Sequence, residues 1–200
     1  MKKFFLILST VLSVSVFAAA ESEVRGFIND LFCNLRAMNG QTLLAQVTKN
    51  YVEIDEEGTK INYDEFADIT KAVTNMGKVI DKGLSPQAKL PDILLAVSEL
   101  EESQIDPATL ALAKEIGNTA EGRQLAVNAR NALAAMKKIY TDTIDKEMDS
   151  LKIVSITVNG DKACAVYRIT RDNKLLQIQL DLVKVNGKWL AEKSSAVKVE

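Results

Sequence analysis

Residues 151–193 read LKIVSITVNGDKACAVYRITRDNKLLQIQLDLVKVNGKWLAEK, and apolar side chains recur there at every second position, whereas residues 91–150 show helical spacing. Three turn signals, Asn159-Gly160, Asp172-Asn173 and Asn186-Gly187, divide the stretch into four strands of a meander. A two-residue turn at Asp172-Asn173 sets Ile169 opposite Leu176, Tyr167 opposite Ile178, Ala165 opposite Leu180 and Ala163 opposite Leu182. The same turn at Asn159-Gly160 sets Ile156 against Ala163 and Val154 against Ala165. Both turns assign one apolar face, and a one-residue slip would turn it outward. Ser155, Thr157, Cys164, Arg168, Gln177, Gln179 and Asp181 fall on the other face, toward solvent or a partner. At Asn186-Gly187 a two-residue turn pairs Trp189 with Lys184, which argues for a bulge there and leaves the face of Trp189 open.

Working back from the meander, Glu21 to Met38 is an amphipathic helix with the stripe Val24, Phe27, Ile28, Leu31, Leu35 and Met38, ended by the capping pair Asn39-Gly40. Gln41 to Thr48 reads as a short helical segment, and Tyr51-Val52-Glu53-Ile54-Asp55 as a strand. Glu56-Glu57-Gly58 turns the chain, and Thr59 to Asn62 returns as a short strand. A helix then opens near Tyr63 with Phe66, Ile69, Val73, Met76 and Ile80 in register, and runs out at Gly83 and Pro86. Beyond it, Leu90, Ile93, Leu94, Val97 and Leu100 form one stripe, and Asp106-Pro107 opens a short helix ending at Gly117. A long helix begins at Thr119 or Glu121, and Leu125, Ala129, Ala132, Met136, Ile139 and Thr143 share one of its sides.

Taken together, the leading helix, the segment Tyr51 to Gly58, the helix opening Asn62-Tyr63-Asp64-Glu65-Phe66 and the closing turns Asn159-Gly160-Asp161-Lys162-Ala163 and Val185-Asn186-Gly187-Lys188-Trp189 resemble the NTF2-like superfamily. The resemblance covers about residues 21–74 and 150–193. It implies an α+β, cystatin-like cone: helices packed on a curved antiparallel sheet. Residues at about 75–149, longer than such domains place before their meander, are expected as an all-helical insertion. The organisation that follows is a leader over 1–20 and a single domain over 21–200.

The leader reading rests on Met1-Lys2-Lys3, the apolar run Phe4 to Phe17 and the small residues Ala18-Ala19-Ala20. Cleavage after Ala20 and a periplasmic or secreted address are expected. No second run approaches the roughly 20 apolar residues of a membrane span, and no cysteine follows Ala20 closely enough for lipid anchoring. The full chain carries a net charge of −2, or −4 once Lys2 and Lys3 are removed. Acids and bases alternate without a basic stripe, which argues against nucleic acid and membrane surfaces as partners. Cys33 projects away from the helix stripe and Cys164 sits on the outer sheet face, so a bridge between them is not expected.

The chain has no histidine. That removes Ser-His-Asp and Cys-His catalysis, histidine zinc sites and Asp-His dyads. Neither a P-loop nor a G-x-G-x-x-G pattern occurs, and no cofactor is expected. Glu53, Asp55, Glu57, Gly58 and Asp64 mimic a calcium loop, but Lys60 occupies its apolar position and a solvated turn explains the same acids, so no metal ligand is assigned. Tyr167 is the cup-face candidate for ligand binding, and no catalytic residue is assigned, because its expected neighbours Ala163, Ala165, Ile178, Leu180 and Leu182 include no carboxylate. The resemblance implies alternatives: an isomerase or dehydratase working without histidine, or a structural subunit of an envelope assembly. The expectation is an exported, non-catalytic module that binds a small apolar ligand or another envelope protein. Pairing of two copies through the sheet is a further expectation.

Overall fold

Helix gives way to strand at Leu151, where the apolar period changes. A computed structural model describes residues 2–100 and 105–199. In chain order these form α1 (Lys2–Arg36), α2 (Gly40–Ala45), β1 (Val47–Ile54), β2 (Lys60–Asn62), α3 (Tyr63–Leu84), α4 (Leu90–Leu100), α5 (Pro107–Gly117), α6 (Ala120–Ser150), β3 (Lys152–Asn159), β4 (Lys162–Arg171), β5 (Lys174–Val185) and β6 (Lys188–Lys198). The strands make one sheet in the order β2-β1-β6-β5-β4-β3. Every neighbouring pair is antiparallel except β1 and β6, which run parallel.

The central hairpin has the expected register: Ile169 pairs with Leu176, Tyr167 with Ile178, Ala165 with Leu180 and Ala163 with Leu182. Asp172 and Asn173 both take positive φ, as a two-residue hairpin turn requires. The β3–β4 hairpin differs. Asn159 stays in the strand, the turn falls at Gly160-Asp161, and Ile156 pairs with Ala165 while Val158 pairs with Ala163. The shift is two residues, so parity is preserved and Ile156 keeps its face. A bulge between Ile153 and Ser155 then turns Val154 to solvent and sets Ile153 opposite Tyr167. The last hairpin keeps its two-residue turn, with Trp189 opposite Lys184. Its bulge lies further along, at Glu192, between the Leu182–Ala191 and Asp181–Lys193 pairs. Trp189 is buried, and its indole N–H donates to Glu23 at 3.1 Å.

α1 covers the apolar face. Val24, Phe27, Ile28 and Phe32 are buried against Ala165, Ile169, Leu176 and Leu180 in one cluster. Full burial of each large side chain is worth about 1.5–3 kcal/mol. The side chains of the apolar run Phe4–Phe17 lie outside the described residues. The helix ends differently from expectation: Met38 takes positive φ, its N–H and that of Asn39 close the end on the carbonyls of Leu35 and Asn34, and Asn39 instead caps α2 by accepting from the Thr42 N–H. Gly40 opens α2 where a Cβ would stand 1.8 Å from the Thr70 carbonyl oxygen, so only glycine fits. α2 stops at Ala45, and Thr48 belongs to β1.

α3 opens with a capping box, Asn62 accepting from the Asp64 and Glu65 N–H groups while Glu65 accepts from the Asn62 N–H. The helical insertion closes a second core, Val79, Ile80, Ala88, Ile93, Ala96, Ala126 and Leu133, together with Met38 from the end of α1. On α6 the expected stripe is wrong. Gly122, Ala126, Leu133, Ile144 and Glu147 face inward, while Leu125, Met136 and Ile139 are 50–69% exposed. Close approach favoured the small residues: a Cβ on Gly122 would meet the Ile116 carbonyl oxygen at 1.9 Å. Among the described residues no helix is long and apolar enough to cross a membrane.

The C-terminal half of α6 ties the insertion to the sheet. Tyr140 donates to the Leu35 carbonyl at 2.7 Å, and Ser150 Oγ accepts from the Thr170 N–H at 2.7 Å. Arg171 donates two hydrogen bonds to Glu147, at 2.7 and 3.0 Å. The Glu147 side chain is 5% exposed and that of Arg171 43%. Arg171→Met is expected to cost about 2 kcal/mol, less than the 3–5 of a fully buried pair because Arg171 still meets water. Glu147→Leu in the same chain should recover most of that loss, read as denaturant midpoints of the two single variants and the double; additive losses would show that the pair is not coupled.

Candidate functional site

Between α1, α2, α3 and the sheet lies a cavity of about 280 Å³. Strand alternation positions its lining. Tyr51 and Glu53 point inward from β1, Tyr167, Ile169 and Arg171 from β4, and Ile178 and Leu180 from β5. The bulge at Glu192 decides what β6 contributes. Unbroken alternation from Ala191 would turn Lys193 inward, but the extra residue places Ser194 and Ala196 in the cup instead. The helices add apolar walls, among them Phe32, Leu35, Leu43 and Phe66, with half-exposed Ile69 beside them. No residue of α6 lines the cup, so the long helix is not its lid. A hollow of about 520 Å³ between the start of α4 and α6 is larger but lies open to solvent.

Tyr167 is 7% exposed and stacks edge-on against Phe32, with ring centroids 6.3 Å apart. Its hydroxyl has no hydrogen-bond partner among the described residues. Burial, and then the charge of Glu53, push the phenol well above its ordinary range. The expectation that the cup face offers no carboxylate is overturned by Glu53. That residue enters from β1, which the parallel pairing with β6 brings opposite Ser194. The hydroxyl of Tyr51 donates to Glu53 Oε2 at 3.3 Å. Burial raises the Glu53 carboxyl and, more strongly, the Tyr51 phenol. Tyr51 also leans on Phe66, with centroids 4.9 Å apart.

The other candidates separate. The acids of the apparent calcium loop diverge: Glu53 faces the cup, Asp55 Oδ1 accepts from the Glu57 and Thr59 N–H groups at 2.9 and 2.8 Å, and Asp64 sits in the first turn of α3. Those turn bonds, Thr59 first, hold the Asp55 carboxyl below its usual value. Among the described residues no group of three or more acids and cysteines is placed to hold a metal. Tyr63 accepts from the Lys49 ammonium at 2.6 Å and does not line the cup. Cys33 is exposed on α1, Cys164 lies on the outer sheet face, and both are free thiols. Burial and neighbouring Asp181 push the Cys164 thiol up.

Helices packed on a sheet with a cup under α1 are what the resemblance implied; the parallel return of β1 beside β6, in an otherwise antiparallel sheet, was not part of that expectation. The architecture is α+β, as the NTF2-like resemblance implies. The helical insertion before β3 is its departure. No protein-family model matches the sequence, and a search of curated proteins gives no match either. Among solved structures, the chain is similar to an NTF2-like protein of unknown function from Silicibacter pomeroyi DSS-3, at 9% identity over 91% of this chain and 98% of that one, with a TM-score of 0.46. It is also similar to an NTF2-like protein with a cystatin-like fold from Novosphingobium aromaticivorans, at 8% identity over 96% and 88% of the two chains, with a TM-score of 0.45. A third, an NTF2-like protein of unknown function from Pseudomonas putida KT2440, gives 11% identity over 90% and 87%, with a TM-score of 0.43.

The raised carboxyl of Glu53 makes this cup costly at neutral pH. The folded chain holds the Glu53 proton more firmly than the unfolded chain, so stability falls as pH rises from the ordinary glutamate value through the raised one. Glu53→Gln keeps an acceptor for Tyr51 and removes that cost. The variant should melt above the parent at pH 8, by about 2–4 °C for each kcal/mol relieved, and the gap should close toward pH 4. A parent that melts higher at pH 8 would contradict the reading.

Proposed function

We propose that the chain is an exported binding module whose cup takes up a small, mainly apolar molecule carrying one polar end. The observation that carries the reading is the cavity itself: apolar walls surround a few polar groups, among them Glu53 and the side chain of buried Tyr167. A volume of about 280 Å³ is at the lower end for ligand sites and suits a fragment-sized occupant. Export is supported by the leader residues Lys2-Lys3, Phe4–Phe17 and Ala18-Ala19-Ala20, and the exported protein should begin at Glu21 by intact mass. In thermal melts of that protein, a short-chain apolar ligand at a hundred times its Kd adds about 2.7 kcal/mol, which is roughly 5–10 °C. Ala196→Phe, which fills the cup, and Ile69→Trp, which crowds its half-exposed wall, should abolish the rise while leaving the unliganded melt within a few degrees. A rise unchanged in both variants would move binding elsewhere.

A second reading is favoured by one observation: the raised Glu53 carboxyl beside the Tyr51 hydroxyl. Some NTF2-like isomerases pair a tyrosine with carboxylic acids inside an apolar cup. In this chain the Glu53 carboxylate, held by the Tyr51 hydroxyl, would take an α-proton from a bound ketone, becoming a carboxylic acid beside the enolate, and would return a solvent-exchanged proton to carbon. A bound ketone would then exchange α-protons with deuterated solvent, and Glu53→Gln should slow that exchange by about 10²–10⁴ with binding retained. Exchange at the uncatalysed rate with the parent protein would eliminate this reading and leave the binding module standing.

A further inference from the structure

The polar end of the cup has a definite electrostatic character. Three acids line it, Glu53, Asp55 and Glu56, against one base, Arg171. Arg171 is already committed, because both its Nε and one terminal nitrogen donate to Glu147. Asp55 is occupied by the backbone of its own turn, and Glu56 has Lys174 at 3.9 Å. Glu53 is left as a half-buried carboxyl that makes no salt bridge among the described residues: the Tyr51 hydroxyl donates to it, and the charge of Arg171, bonded to Glu147, reaches it only from a distance. Near it Tyr167, only 7% exposed, lines the cavity, and its hydroxyl has no hydrogen-bond partner among the described residues. Four aromatic rings, Phe32, Tyr51, Phe66 and Tyr167, complete the lining around these groups.

Resting on the reading of the cup as a binding site, we infer that its ligand is a protonated amine on a short apolar chain, with the ammonium held by the Glu53 carboxylate and the Tyr167 hydroxyl oxygen. An ammonium has three N–H donors and no acceptor, and the cup supplies acceptors: the Glu53 oxygens and the hydroxyl oxygens of Tyr51 and Tyr167. It also supplies π faces, which attract cations most strongly where water is excluded. A carboxylate of the same length would meet Glu53, Asp55 and Glu56 with Arg171 spoken for. A neutral alcohol would satisfy Tyr167 and leave Glu53 without its counter-charge. The apolar walls serve all three chains alike, so the difference among them isolates the head group.

Calorimetric titration of the exported protein with n-octylamine, 1-octanol and octanoate tests this. Octylamine should bind at least tenfold more tightly than octanol, and octanoate more weakly than either. Glu53→Gln should bring octylamine to the level of octanol while changing octanol itself less than threefold, and Tyr167→Phe should weaken octylamine by about threefold to tenfold. Octanoate binding most tightly, or an amine-to-alcohol ratio unchanged by Glu53→Gln, overturns the amine inference and leaves the binding cup intact. Failure of all three probes to bind the parent protein overturns both. Should Glu53→Gln not fold, the ratio in the parent protein and the Tyr167→Phe titration decide the matter in the same way.

Discussion

The pairing of β4 on β5 is the constraint on which the rest of the molecule depends. Ten consecutive residue pairs, from Lys162–Val183 to Arg171–Lys174, carry it without interruption. The turn at Asp172-Asn173 supplies the geometry, since both residues accept positive φ and the pair closes the hairpin at its natural twist. Slipping the register by one residue would send Ala165, Ile169, Leu176 and Leu180 to water and turn Arg168 and Gln177 under α1. The same register aims Tyr167 and Arg171 into the cup. Core and site are thus two uses of a single alternation.

The bulges convert that flat rule into a container. At Glu192 and between Ile153 and Ser155 an extra residue bends a strand and changes which side chain points inward. The first admits Ser194 and Ala196 in place of Lys193, and so keeps an ammonium of the protein itself out of the cup. The second exchanges Val154 for Ile153. Ser194 and Ala196 leave space in the cup that larger aliphatic residues would have filled. A half-buried Glu53 in that space is unfavourable for stability, because burial favours its uncharged form.

The helical insertion follows a different logic. Its core is separate, and it is joined to the sheet by the second half of α6 through Tyr140, Ile144 and the Glu147–Arg171 pair. α6 carries apolar residues on more than one side, so periodicity alone selects the side with the larger ones, Leu125, Met136 and Ile139. Packing selected Gly122, Ala126 and Leu133, because tight contact with Ile116 and Gly83 demands little volume and not much hydrophobicity. The resulting apolar stripe is exposed.

Local chemistry in the sequence determined the elements: the capping box at Asn62 and Glu65, the Asp106-Pro107 helix start, the strand alternation after Ser150 and the central hairpin register are each written within a few neighbouring residues. It also determined what chemistry is absent, since no fold can supply a histidine the chain lacks. Tertiary structure alone decided the site. Glu53 and Tyr167 stand 114 positions apart in sequence, and only the parallel return of β1 beside β6 places them around one cavity. That pairing leaves no trace in any short window, because it is set by the closure of the whole sheet over α1 and by bulges whose positions depend on strands far away in the chain.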